Sequence, residues 1–320
     1  MWCRRENLLV IPVSRPISGP MAIDTDTAPP TRGRIGRRIL TLGGLGGLGA
    51  ALSACSPLKV LNGLAPGRRV AQGLPFGAGP RRTLDVYSPA RRDPAPIVVF
   101  FYGGSWDSGA KEMYRFVGGA LAARGCVVVI PDYRVYPAVR YPDFLEDCAA
   151  AFAWAATNGH AYGGAGSPFL MGHSAGAYNA AMLSLQTDYL AAAGAPVPAG
   201  MIGLAGPYDF LPLHDAELEK IFGPNPTPPA TQPINHVDGR NPPMLLLAGT
   251  KDTDVLPRNT TRLAARIRAA GGPVADRLYP GVDHREIVGA IGQPFRFLAP
   301  TLRDSLAFIA DPASVARRAA

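Results

Sequence analysis

Three apolar residues, Phe169-Leu170-Met171, run directly into Gly172-His173-Ser174-Ala175-Gly176, and the chain continues as an alanine-rich segment from Ala177 to Leu185. No other stretch constrains the fold as tightly. An apolar run that meets a glycine-flanked bend and goes on as helix-prone sequence reads as a strand, a sharp turn and a helix. The two glycines let strand and helix backbones approach closely. The strained turn lifts the Ser174 hydroxyl out, and the amide of Ala175 faces the place where an oxyanion would form.

The rest of the chain repeats this alternation. Short apolar runs bounded by turn residues predict strands at Leu84–Tyr87, Ile97–Tyr102, Cys126–Ile130, Pro168–Met171, Met201–Leu204, Met244–Ala248 and Val274–Tyr279. Between them, Phe144, Cys148, Phe152 and Ala155 keep helical spacing after Pro142, and Leu263 and Ile267 share a face before Gly271-Gly272 ends their helix. Continuous apolar strands alternating with amphipathic helices imply an α/β domain with a mostly parallel sheet covered on both faces. Its expected extent is residues 81–312. Residues 55–80, rich in Gly, Pro and Ala, read as a tether, and 313–320 as a tail. The proline-rich stretch 206–243 breaks the rhythm, with one helix expected at Ala216–Phe222, and reads as a small lid over the strand ends.

A serine at its ordinary pKa is a poor nucleophile, so a histidine must take its proton and a carboxylate must orient that histidine. Leu245-Leu246-Leu247-Ala248-Gly249-Thr250-Lys251-Asp252 places an acid just past a strand end, and Tyr279-Pro280-Gly281-Val282-Asp283-His284 places a histidine after the next strand. Asp252 is preferred to Asp254, which stands two residues further along the same loop. His160, His214, His236 and His173 read as structural or solvated. The loop Tyr102-Gly103-Gly104-Ser105-Trp106, after an earlier strand, supplies further oxyanion donors, with the amides of Gly104 and Ser105 foremost and Trp106 shaping an apolar pocket.

Taken together, Tyr102-Gly103-Gly104-Ser105-Trp106, Pro131-Asp132-Tyr133-Arg134, the serine elbow and Gly249-Thr250-Lys251-Asp252 resemble the esterase and lipase branch of the α/β-hydrolases. The likeness is to carboxylesterases and arylformamidase-like enzymes with a His-Gly-Gly-X-Trp loop, and it covers about Arg82 to Ile309. The resemblance implies hydrolysis of a small-molecule ester through an acyl-enzyme, without a cofactor or metal. An amide or N-formyl substrate on the same three residues, or a non-catalytic binding module that kept the fold, are the alternatives. This chain departs from the family at Tyr102, where histidine is usual; a tyrosine can organise the loop through a different hydrogen bond. Asp132 and Arg134 read as a charge pair that fixes a loop.

With 47% hydrophobic and 18% charged residues, the chain can bury an enzyme-sized core. Half of its net charge of +8 falls in residues 1–54, and the remainder is scattered in arginine pairs without interleaved aromatics, so no nucleic-acid partner is implied. Cys3, Cys55, Cys126 and Cys148 show no metal-ligand spacing; Cys126 and Cys148 read as buried packing residues, with a bridge between them left open. Arg37-Arg38 and the uncharged run Ile39 to Ala54 form a basic and an apolar region shorter than the ~20 residues of a spanning helix, which reads as an export leader. Leu52-Ser53-Ala54-Cys55 resembles a lipobox, so a lipid anchor at Cys55 and an extracytoplasmic, membrane-attached location are expected. Translation from Met21 instead of Met1 would give a leader of ordinary length. The pattern Gly44-Leu45-Gly46-Gly47-Leu48-Gly49 has no strand before it and no acid at the required distance after it, so it carries no dinucleotide site.

Overall fold

The computed structural model describes residues 56–90 and 94–317. The leader, Cys55 and the final residues 318–320 lie outside them.

One eight-stranded sheet organises the domain, in the order β1-β2-β4-β3-β5-β6-β7-β8. The strands are β1 (Arg68–Pro75), β2 (Thr83–Ser88), β3 (Ala95–Phe101), β4 (Val127–Pro131), β5 (Gly164–His173), β6 (Met201–Leu204), β7 (Met244–Gly249) and β8 (Val274–Tyr279). β2 is antiparallel to both of its neighbours, and from β4 to β8 every pairing is parallel. Every residue of β4, β6 and β7 is buried, as strands covered on both faces require. Each fully buried Val, Leu, Ile or Met in these runs contributes roughly 1.5–3 kcal/mol of transfer free energy. This is the α/β-hydrolase arrangement.

Helices α1 (Pro57–Gly63), α2 (Arg115–Ala122), α3 (Asp143–Asn158), α4 (Ala175–Leu185), α5 (Asp188–Ala192), α6 (Ala216–Phe222), α7 (Arg258–Ala269), α8 (Glu286–Gly289) and α9 (Thr301–Ala310) complete the layers. The helical spacings read from the sequence are the buried faces: Phe144, Cys148, Phe152 and Ala155 on α3, and Leu263 and Ile267 on α7. Cys126 and Cys148 are buried and free, so no bridge joins them.

Residues 57–75 do not form the expected tether. α1 docks on the turn before α2, where Asn62 Nδ2 donates to the carbonyls of Glu112 and Met113 and Asn62 Oδ1 accepts from the Phe116 amide. β1 pairs with β2 across two register shifts. Its residues alternate between exposed and half-buried, because it is an edge strand held by its ladder and by Asp85. That carboxylate, buried in β2, accepts from Arg69 Nη1 at 2.8 Å and from the Gly73 amide at 3.0 Å.

The 206–243 insertion contains α6 where the sequence predicts it, with Asp215 capping the amides of Glu217 and Leu218. It is pinned to the body: Tyr178 donates to the Thr231 carbonyl at 2.6 Å, Asn259 Oδ1 accepts from the amides of Tyr208 and Asp209, and the Tyr141 amide donates to the Ile221 carbonyl. Among the described residues no helix is long and apolar enough to cross a membrane.

Candidate active site

Ser174 stands between the end of β5 and the start of α4 with φ 55° and ψ −123°, a left-handed conformation that costs energy for a residue with a side chain. The bend is held by its surroundings. The Ser174 amide donates to the Leu204 carbonyl at 2.9 Å, and the Ser174 carbonyl accepts from Ala177 and Tyr178. A Cβ on Gly172 would lie 2.2 Å from the Gly176 carbonyl oxygen, and one on Gly176 would lie 2.0 Å from that of Phe101. Only glycine permits these approaches.

β7 and β8 bring the acid and the histidine together. Asp252, 2% exposed, lies 2.8 Å from His284 Nδ1 through Oδ2, while Oδ1 accepts from the amides of Asp254 and Val255. With Nδ1 engaged as donor, Nε2 of His284 is left to accept a proton. Asp254 contributes its amide to Asp252; its side chain lines a shallow depression of about 270 Å³ with Thr253, Asp283, His284 and Arg285. Asp283 accepts from the amides of Arg285 and Glu286, so it caps the turn. The His284 loop adjoins the serine elbow: His173 Nε2 is 2.9 Å from the His284 carbonyl oxygen, and the two rings are 4.8 Å apart. Among the described residues no hydrogen bond joins the Ser174 hydroxyl to His284; in such pairs that contact often tightens only when substrate binds.

The loop after β3 closes the other side. Gly103 abuts the elbow so tightly that a Cβ there would stand 2.9 Å from Ser174 Cβ. Burial pushes the nearby Tyr114 phenol up to about 12, partly offset by the Gly103 backbone. Gly103 thus sets how closely this loop meets the elbow. The next residues reverse direction, with Gly104 at φ 141°, Ser105 at 49° and Trp106 at 60°. The Gly104 carbonyl accepts from the Asp107 and Ser108 amides and from Ser108 Oγ, and the amides of Gly104 and Ser105 hydrogen-bond no other described residue. Ala175 opens α4, so its amide has no partner within that helix.

Trp106 is not an open pocket wall. It is 3% exposed, its Nε1 donates to Asn179 Oδ1 at 3.0 Å, and its ring contacts Phe144, Tyr178, Phe210 and Phe222. A buried indole needs an acceptor, and Asn179 on α4 is the one within reach. The indole thus joins the loop after β3 to α3, α4 and the insertion. Asn179 was discoverable as the one amide side chain in an otherwise apolar helix.

Tyr102 does anchor the loop by a different hydrogen bond, donating to Asp132 Oδ1 at 2.8 Å and accepting from Arg81 Nη2 at 2.7 Å. Asp132 also takes the Lys111 amide and its ammonium. Burial opposes the Lys111 charge, but bonds to Asp132 and Glu112 outweigh it and raise that pKa. Arg134 does not pair with Asp132. Together with Arg82 it grips Asp147, fully buried on α3. Of the remaining histidines, His160 and His214 are exposed, and His236 contacts the Ala230 carbonyl inside the insertion. Among the described residues no group of three or more His, Cys, Asp and Glu side chains could hold a metal ion.

The BD-FAE family model matches residues 84–267, more than half of the chain and all of the site up to Asp252. A probable isoprenylcysteine alpha-carbonyl methylesterase of Oryza sativa subsp. japonica is 28% identical over 244 residues, which cover 69% of this chain and 59% of that protein. Kynurenine formamidase of Salmo salar is 32% identical over 150 residues, 46% of this chain and 50% of the enzyme. The chain thus spans between half and three fifths of the length of these relatives. Among solved structures, a truncated carbohydrate esterase from gut microbiota superposes with a TM-score of 0.67 at 19% identity, over 78% of this chain and 98% of that one.

Proposed function

Because the chain belongs to the BD-FAE family, we propose that it is a serine hydrolase of small carboxylic esters, working through an acyl-enzyme. The observation that carries this reading is the 2.8 Å contact between Asp252 and His284 on the loop beside the strained Ser174 turn. In the proposed cycle Ser174 Oγ attacks the ester carbonyl while His284 Nε2 takes its proton. Asp252 holds the tautomer and stabilises the imidazolium. The amides of Gly104, Ser105 and Ala175 receive the negative charge that develops on the carbonyl oxygen. His284 then returns the proton to the leaving alcohol, and a water molecule, activated by the same nitrogen, releases the acid and restores Ser174. The aromatic cluster around Trp106 fills the space beneath the insertion, which favours short acyl groups.

A direct test compares wild type with Ser174→Ala on p-nitrophenyl acetate and on a fluorophosphonate probe. Turnover and labelling confined to wild type are expected; equal background in both would sink the enzymatic reading and leave a binding module. An amidase reading draws on the match to kynurenine formamidase. An N-formyl arylamine in the same assay decides it, since that substrate must outpace the ester if the reading holds. We further propose that residues 1–54 are an export leader and that Cys55 carries a lipid, on the strength of the Arg37-Arg38, Ile39–Ala54 and Leu52-Ser53-Ala54-Cys55 sequence. Labelled fatty acid should enter the wild-type chain and not Cys55→Ser.

A further inference from the structure

His173 is the last residue of β5 and is 5% exposed. Its Nε2 faces the carbonyl oxygen of His284, 2.9 Å away. A carbonyl only accepts, so the imidazole proton resides on Nε2. Nδ1 is then a lone pair; it is buried with no hydrogen-bond partner, 3.2 Å from the point that a Cβ on Gly103 would occupy. One side chain therefore meets three loops: it is bonded in sequence to Ser174, it packs on Gly103, and it donates to the main chain of His284.

The other hydrogen bonds that reach the His284 loop from a different segment come from the side of β7. Thr250 Oγ1 accepts from the Gly281 amide, the Lys251 amide donates to the Val282 carbonyl, and Asp252 holds the ring through Nδ1. These fix the histidine relative to the acid. They leave its distance from the serine to be set elsewhere, and the contact from His173 crosses that gap.

We propose that His173 is a positioning residue, whose Nε2–H bond to the His284 carbonyl sets the His284 ring at working distance from Ser174. The proposal rests on reading Ser174, Asp252 and His284 as a triad. A ring in this place must also remain neutral, because His284 gains a positive charge during acylation. The titratable groups that face it are His284 and Tyr114, whose rings lie 4.8 and 6.4 Å from it. Neither is a carboxylate. Burial first, and then the charge of His284, bring the pKa of His173 down to about 3.

Two substitutions separate donation from packing. His173→Phe keeps a ring and removes the donor, whereas His173→Gln loses the ring and places an amide donor near the position of Nε2. On p-nitrophenyl acetate the Phe variant should lose about 10²-fold in kcat with little change in KM, as a misplaced base does, and the Gln variant should recover most of that loss. A Phe variant as active as wild type, or two variants equally impaired, would overturn the proposal. Should the Phe variant fail to fold, nitrogen-15 spectra of the wild-type histidines decide. They should show one imidazole fixed as the neutral Nε2–H form from neutral pH to about pH 4, missing in His173→Gln. A His173 ring that titrates near neutrality, or carries its proton on Nδ1, overturns it equally. Equal background turnover in wild type and Ser174→Ala removes the triad and this proposal together; activity in wild type with the Phe and Gln results reversed removes this proposal alone.

Discussion

Tyr102 Oη donates to Asp132 Oδ1 at 2.8 Å, joining the loop after β3 to the end of β4. The hydroxyl is fully committed, since it also accepts from Arg81, and burial drives its pKa well above the ordinary phenol value. Tyr102→Phe removes both bonds and leaves Arg81 with only its carbonyl acceptors on Tyr133 and Gly109. The expected loss is about 1–3 kcal/mol of stability in urea titration. With the loop loosened, kcat should fall about tenfold and KM should change little.

Asp252 and Asp254 share a loop and differ in what they touch. Asp252→Asn would leave His284 with an uncharged partner and the wrong tautomer, for which about a 10⁴-fold loss in kcat is expected. Asp254→Asn should retain activity close to wild type, because its contribution to Asp252 is an amide that the substitution keeps. Steady-state kinetics on one ester tests both, and a larger loss in the Asp254 variant would reverse the assignment.

Gly176→Ala sets a methyl group 2.0 Å from the Phe101 carbonyl oxygen, backbone that cannot rotate away. The strand–helix unit should then fail to close, and soluble expression should drop sharply. Gly103→Ala meets Ser174 Cβ at 2.9 Å, at the rim rather than inside the unit. That variant should fold, with a melting temperature near wild type, and lose fluorophosphonate labelling.

Asp147 lies within the sheet–helix layer, where burial raises its pKa, but bonds from Arg134 and Arg82 outweigh burial and bring it below 3.8. A depressed carboxyl contributes stability that is complete above its unfolded value and disappears as pH falls through the folded one. The advantage of wild type over Asp147→Asn in urea midpoint should therefore be largest near about pH 6 and shrink below about pH 4. At neutral pH the variant should lose up to about 3 kcal/mol, less than for a fully enclosed pair because both guanidinium groups reach solvent.

Much of this architecture was readable because apolar runs and glycines carry the signal directly. Strands β3, β4 and β7 lie where near-continuous apolar segments stand, and the Ser174 turn is specified by Gly172 and Gly176. β1 escaped detection because an edge strand buries little, so Arg68 to Pro75 has no apolar period to read. Its trace is indirect: Asp85, a lone acid in an apolar strand, needs the partners that β1 supplies. Arg134 reads as the partner of Asp132 because the two are close in sequence, whereas Asp147 reaches it from α3. Trp106 reads as a pocket wall because a left-handed turn carries no local sign of which way it sends an indole. His173 reads as structural or solvated because nothing local reveals that a loop 111 residues later returns to its ring.

The pairing of β7 with β8, Gly249 opposite Tyr279, puts Asp252 and His284 on consecutive connections from neighbouring parallel strands. Their separation is thus inherited from the spacing of a sheet, while the insertion between β6 and β7 leaves and rejoins the domain upstream of both. Under the proposed function, a lineage could rewrite residues 206–243 to admit a new substrate and never retune the acid–histidine pair. On that proposal, substrate choice and proton transfer are free to evolve at different speeds.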